Sequence, residues 1–125
     1  MEYKFTIPLK PITKKNSQRI VFTGSGRPFI IPSEAYTKYE KECRAYMPDI
    51  KTIESPVNVK AVYYMPTGRR VDLTNLHEAL HDILVHYEIL KDDNCKIIFS
   101  TDGSYVDVDK WHPRTEVTIS ELETG

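Results

Sequence analysis

Hydrophobic and polar residues alternate along several segments of this chain, a pattern typical of strands that bury one face. The N-terminal segment shows it clearly, because Tyr3, Phe5, Ile7 and Leu9 alternate with polar residues or proline. A Gly-Ser-Gly sequence at residues 24–26 separates the second and third segments, which predicts a hairpin. The predicted strands are residues 3–9, 19–23, 27–31, 57–65, 95–100, 105–108 and 114–122, and the strand at 95–100 is expected to be buried.

Two other segments repeat their hydrophobic residues every three or four positions, as one face of an α-helix does. The first helix is predicted to begin after Ser33, a good N-cap residue, and to end at Pro48. The second has Asp72 at its N-cap position and runs for roughly 18 residues. The order βββαβαβββ predicts an α+β fold, a mixed β-sheet with two helices.

The length and composition are those of one globular domain, residues 1–125, with 40% hydrophobic residues and no repeat. No segment approaches the roughly 18 apolar residues of a membrane helix, and no signal-peptide core is evident. Cys43 and Cys95 have no second Cys or His at zinc spacing. We therefore expect reduced, mostly buried thiols in a cytoplasmic protein.

The net charge is −1, which by itself argues against a strong non-specific DNA-binding protein. The charge is distributed unevenly, because residues 1–30 carry six Lys or Arg against one Glu. This distribution is typical of a basic rim around an acidic centre, although an ordinary surface gives the same numbers.

The segment from residue 69 to residue 93 combines cations with closely spaced carboxylates. Phosphodiester hydrolysis needs both, because carboxylates bind Mg²⁺ and arginines bind the phosphate backbone. Each carboxylate alone has a simpler interpretation as a helix cap, a solvated helix face or a turn. The residues concerned are Arg69, Arg70, Asp72, Glu78, Asp82, Asp92 and Asp93.

A single metal site faces one difficulty, because Asp72 and Asp93 lie near opposite ends of the predicted helix, about 25 Å apart. The two would share a metal if the helix is broken or if the loop before Asp93 folds back. Alternatively, Asp93 meets Asp72 of a second subunit. The sequence leaves these alternatives open.

Two further groups of residues have a possible binding role. Lys14, Lys15, Asn16 and Arg19 form a basic loop whose donors suit phosphate oxygens, although a solvated lysine loop is the simpler interpretation. His77 and His81 have the i, i+4 spacing of a zinc pair, but no third ligand is evident. We therefore expect an exposed or interface histidine pair.

With these motifs, the chain resembles the RusA family of Holliday-junction resolvases over nearly its whole length. The most specific part is Arg-x-Asp-Leu-x-Asn at residues 70–75, followed by the helix aspartate and then Asp92-Asp93. By this resemblance Asp72 is the first acidic residue of the central motif, Asn75 its asparagine, Asp82 the helix aspartate and Asp93 the distal one. The N-terminal loop, hairpin and first helix give weaker support.

This chain departs from the family pattern at Thr74 and Glu78. Many members have a second aspartate at the first position and a lysine near the second. Glu78 would then replace the absent aspartate as a ligand, or the chain has lost activity.

The resemblance implies a homodimer that nicks two strands of a four-way DNA junction symmetrically, in a bacterial or phage-infected cell. It implies Mg²⁺, with Mn²⁺ as a substitute, held by Asp72, Asp93 and either Asp82 or Glu78. The residues expected to bind the DNA are Lys14, Lys15, Asn16, Arg19, Arg69 and Arg70. Two other hypotheses are a non-catalytic branched-DNA-binding protein on the same fold and a small structural domain with a solvated acidic face.

Overall fold

The structure, a computed structural model, describes residues 1–14, 19–22, 24, 26–31 and 33–122. The order of its elements confirms βββαβαβββ and the α+β class. None of the helices in these ranges is long and apolar enough to span a membrane. The elements are β1 (Glu2–Ile7), β2 (Arg19–Phe22), β3 (Pro28–Ile31), α1 (Glu34–Cys43), β4 (Val57–Met65), α2 (Leu73–His86), β5 (Ile98–Ser100), β6 (Tyr105–Val108) and β7 (Arg114–Glu121).

The main sheet is mixed and has β4 at its centre. β7 pairs antiparallel with both β1 and β4. On its other side, β4 pairs in parallel with β5 at its beginning and with β6 at its end. The Asn58 side chain stabilises the turn between β5 and β6. Its Oδ1 accepts hydrogen bonds from Ser100 Oγ at 2.6 Å and from Asp102 N at 2.7 Å. β2 and β3 form the separate hairpin that the sequence predicts.

Both helices pack on the same face of this sheet and form one hydrophobic core. The Ser33 side chain caps α1, since its Oγ accepts a hydrogen bond from Tyr36 N at 3.1 Å. A 3-10 turn, Arg44–Tyr46, follows α1, so the helical region ends just before Pro48. Each fully buried large side chain contributes roughly 1.5–3 kcal/mol to stability. The core residues of α2 and β4 are Leu76, Ala79, Leu80, Ile83 and Leu84 with Val57, Val59, Ala61 and Tyr63.

The second helix is shorter than predicted, with 14 residues ending at His86. Glu88 has a positive φ of 60°, and Ile89 N donates to Leu84 O at 2.9 Å. This left-handed residue reverses the chain and lets the buried side chains of Ile89 and Leu90 reach the core. The chain after α2 is therefore not a helical extension.

The prediction of a buried strand at 95–100 is wrong in length and in burial. The strand begins only at Ile98, and the side chain of Phe99 is 67% exposed because β5 lies at the edge of the sheet. Both cysteines are free, but only Cys43 is buried. Cys95 is exposed because it precedes this edge strand in a loop, so its predicted burial is also wrong.

Candidate functional site

A cleft of about 680 Å³ lies between two segments that are far apart in the sequence. The loop after β1 contributes residues 10–13, and the segment from the end of β4 towards α2 contributes most of the remainder. Ala35 of α1 also lines the cleft. Among the residues that the structure describes, the charged ones that line the cleft are Lys10, Arg69 and Arg70, and none is a carboxylate. The cleft is therefore suited to an anionic ligand.

Arg69 and Arg70 follow the Pro66-Thr67-Gly68 sequence that ends β4. Thr67 Oγ1 accepts a hydrogen bond from Arg69 N at 3.4 Å, which helps to define the turn. Both arginine side chains are exposed. Across the ranges that the structure describes, neither forms an ion pair with a carboxylate. Their charge is thus accessible to a phosphate group.

Asp72 directly follows this cationic segment and occupies the N-cap position of α2. Its backbone oxygen accepts hydrogen bonds from Asn75 N at 3.1 Å and Leu76 N at 3.2 Å. Its carboxylate makes no capping hydrogen bond, and the hydrogen bond it accepts within the described part of the chain is a long one, from Asn75 Nδ2 at 3.4 Å. The exposed carboxylate is therefore available to a ligand, and Asn75 is placed to orient it.

Asp82 in the middle of α2 forms an ion pair with Lys14, which lies in the segment after β1. Lys14 Nζ lies 2.5 Å from Asp82 Oδ2, and both side chains are about one-third exposed. The ammonium also lies 5.6 Å from the centre of the Tyr36 ring. The sequence predicts separate partners for these residues, a metal for Asp82 and DNA for Lys14. In this structure each neutralises the other.

Glu78 lies one turn before Asp82 on α2 and faces the same neighbour. Burial raises the pKa of the Tyr36 phenol, and the negative charges of Asp82 and Glu78 add to this effect. Both carboxylates therefore lie close enough to Tyr36 of α1 for their charges to affect its pKa.

Asp93 lies in the loop that returns after α2. Burial is the main cause that raises the pKa of its carboxyl, followed by a hydrogen bond with the Asp92 side chain. The negative charge of Asp82 also raises it. The Asp93 carboxyl therefore holds its proton more readily than an ordinary aspartate does.

The carboxylates do not form a closed metal cage. In the part of the chain that the structure describes, no three His, Cys, Asp or Glu side chains are grouped closely enough to hold a metal ion. The donors are nevertheless of the kind that Mg²⁺ prefers, since all are carboxylate oxygens. Mg²⁺ commonly uses one or two carboxylates together with waters and substrate phosphates, which fits an open set of this kind.

The two histidines are half-buried, so of the two predicted alternatives the exposed pair is wrong, and the interface pair stays a prediction. His77 Nδ1 lies 2.7 Å from the Tyr63 hydroxyl, and the rings of His77 and His81 stack with centroids 5.4 Å apart. Burial lowers the pKa of both imidazoles, that of His81 to about 4. The pair flanks the apolar stripe of α2 and packs against β4, which the i, i+4 spacing alone does not reveal.

Some predicted DNA-binding residues lie outside the described part of the chain, namely Lys15, Asn16 and the side chain of Arg19. Conversely, sequence analysis did not select Lys10. The sequence feature that could have indicated Lys10 is its position beside Pro11, shortly before the basic loop. Its role becomes visible when the fold brings it to the same cleft as Arg69 and Arg70.

The family model described as Endodeoxyribonuclease RusA matches residues 8–120. No curated protein matches the chain. The matched region extends from the basic loop through the Asp72 motif and Asp93 to the last strand, which is nearly the whole chain. The chain therefore belongs to the RusA family of endodeoxyribonucleases.

Proposed function

We propose that this protein is a metal-dependent endodeoxyribonuclease that resolves four-way DNA junctions by paired symmetric nicks, in recombination and repair. Family membership supports the reaction class. The observation that carries the proposal furthest is the exposed Asp72 carboxylate, which directly follows a cleft lined by three cations. Phosphate-binding cations beside an available carboxylate are the arrangement that phosphodiester cleavage requires.

The metal in this proposal is Mg²⁺, with Mn²⁺ as a substitute. Asp72 and Asp93 would hold it together with Asp82 or Glu78. When bound, such an ion neutralises charge on the phosphate and activates water. The donor types support this choice of metal, because carboxylate oxygens are the ligands that Mg²⁺ prefers in proteins.

The residues of this chain bind and orient the substrate. Arg69, Arg70 and Lys10 would contact phosphate oxygens, at about 1.5–3 kcal/mol for each charged hydrogen bond. Asn75 would hold the Asp72 carboxylate in position. Shape rather than base sequence would dominate recognition of the junction, since phosphate contacts carry no sequence information.

A symmetric reaction on a four-way junction calls for two active sites, so we propose a homodimer in the cytoplasm of a bacterial or phage-infected cell. A dimer would double the number of cationic clefts, which offsets the net charge of −1 per chain.

A second candidate is a non-catalytic branched-DNA-binding protein. The ion pair between Lys14 and Asp82 favours it, because it occupies one of the carboxylates expected to bind metal. Thr74, where many family members have an aspartate, favours it as well.

The Asp72→Asn variant distinguishes the two candidates. We expect it to cut a labelled four-way junction at least about 100-fold more slowly in Mg²⁺, because it loses a charged ligand. Binding to the junction should change little, since the cationic cleft is intact. Asp49→Asn, an exposed position away from the cleft, is the matched control. An Asp72→Asn protein that cuts like Asp49→Asn would contradict the proposal, and a wild-type protein that binds without cutting would favour the second candidate.

A further inference from the structure

The walls of the cationic cleft are partly apolar. Apolar side chains from both segments line it together with the three cations. A volume of about 680 Å³ lies within the range of roughly 300–1,000 Å³ that is usual for small-ligand sites. A phosphate group alone would leave most of this space unfilled. The apolar lining residues are Pro11, Ile12, Ala35, Met65, Pro66 and Val71.

The charges of the cleft complement an anion that carries an apolar group. Lys10, Arg69 and Arg70 provide positive charge from both segments, and none of the described lining residues is a carboxylate that would repel an anion. The two prolines restrict the backbone on either side and so help to keep the walls preformed. A nucleotide has the required combination of a phosphate and a planar, largely apolar base.

The cleft ends one residue before the candidate catalytic residue. Val71 lines the cleft, and Asp72 is the next residue in the chain. The backbone of a DNA strand that enters the cleft would therefore pass close to the start of α2. In a duplex each base is stacked and paired, and extracting one costs a few kcal/mol. The cost is smallest for a base that has already lost pairing or stacking partners, and we expect the exchange point, where strands change partners, to open more readily than a continuous duplex.

We propose that the cleft accepts a single unstacked nucleotide of the DNA strand, with its phosphate at Lys10, Arg69 and Arg70 and its base against the apolar wall. The inference rests on the proposed function and deepens it. It explains how an enzyme that contacts mainly phosphates selects branched over linear DNA, because only a branch point supplies this nucleotide at low cost.

Fluorescence of 2-aminopurine, which rises when the base is unstacked, tests this proposal. The probe replaces each nucleotide flanking the exchange point in turn, in a four-way junction held uncut by Ca²⁺ in place of Mg²⁺. We expect wild-type protein to raise the fluorescence at one or two of these positions and to leave a linear duplex carrying the probe unchanged.

The Ala35→Trp variant fills the cleft from an exposed position on α1 without removing a charge. We expect it to abolish the fluorescence rise and to weaken junction binding about ten-fold, because the base loses its apolar contacts with the wall of the cleft. Ala45→Trp makes the same substitution at an exposed position outside the cleft and should behave like wild type. A fluorescence rise that persists in Ala35→Trp would overturn the assignment to this cleft.

The wild-type measurement separates the two proposals. Wild-type protein that binds the junction and cuts it in Mg²⁺, but leaves the fluorescence unchanged at each probed position, would overturn the nucleotide site and leave the proposed function standing. Protein that neither binds nor cuts the junction would overturn both.

Discussion

Single residues owe their roles here to contacts that sequence spacing does not specify. The i, i+4 spacing of His77 and His81 is compatible with a zinc pair, an exposed pair or a half-buried one. The fold selects the half-buried arrangement, because Tyr63 on β4 bonds to His77 and the two rings stack. Asp72, by contrast, is predictable as an N-cap from its place before the apolar stripe of α2. Its free carboxylate becomes apparent only in the structure.

The half-buried pair predicts that stability depends on pH. The pKa of His81 is lowered to about 4, so the unfolded chain binds more protons than the folded one between about pH 6.5 and pH 4. Stability should therefore be fully present above this window and fall as the pH drops through it. We expect a loss of about 1–2 kcal/mol between pH 7.5 and pH 5 in wild type, measured by urea unfolding in EDTA.

His81→Leu should reduce this loss, because it removes the group that takes up the proton. His112→Asn, on an exposed turn, is the control and should keep the wild-type dependence. An equal loss in His81→Leu and wild type would contradict the explanation.

At the scale of elements, local patterns predict most of the fold. Apart from β5, the ends of the strands differ from the alternating segments by at most two residues. The predictions fail where the end or the burial of an element depends on residues that are distant in the sequence. The chain leaves α2 at His86 because the buried residues Ile89 and Leu90 pack into the core, and β5 is exposed because no further strand among the described residues covers it.

The ion pair between Lys14 and Asp82 is also a contact between residues that are far apart in the sequence. A double-mutant cycle with Lys14→Gln and Asp82→Asn should give a coupling energy of about 0.5–1 kcal/mol in urea unfolding, because the pair is only partly exposed. The exposed pair of Lys91 and Glu54, 3.4 Å apart, is the matched control and should give almost none. Equal coupling in the two cycles would show that the Lys14 pair does not hold the loop on α2.

At the scale of the whole molecule, the cleft combines residues 10–13 with residues 65–71. Sequence analysis identifies Arg69 and Arg70 by their place before Asp72, but it cannot show that Lys10 joins them. The antiparallel pairing of β1 with β7, and of β7 with β4, brings these segments together. The net charge of −1 therefore hides a locally cationic surface.

This cationic cleft predicts strongly salt-dependent DNA binding. One neutralised phosphate per chain, and so two in the proposed dimer, corresponds to an affinity loss of about 12-fold between 50 and 200 mM salt. The triple variant Lys10→Gln, Arg69→Gln, Arg70→Gln should bind a four-way junction more weakly and with a reduced salt slope.

A control with the same loss of charge is Lys38→Gln, Lys41→Gln, Arg44→Gln, on an exposed surface outside the cleft. It should keep most of the wild-type affinity and slope. Similar losses in the two triple variants would mean that binding follows total charge and not the cleft.

The most direct test of the central claim is cleavage of DNA by the purified wild-type protein. A four-way junction and a linear duplex, each labelled on every strand, are incubated with and without Mg²⁺. We expect paired nicks, placed symmetrically in two strands of the junction, only when Mg²⁺ is present, and an intact duplex. A junction that stays uncut in Mg²⁺ and in Mn²⁺, although the protein binds it, would contradict the claim that this chain is an active junction-resolving nuclease.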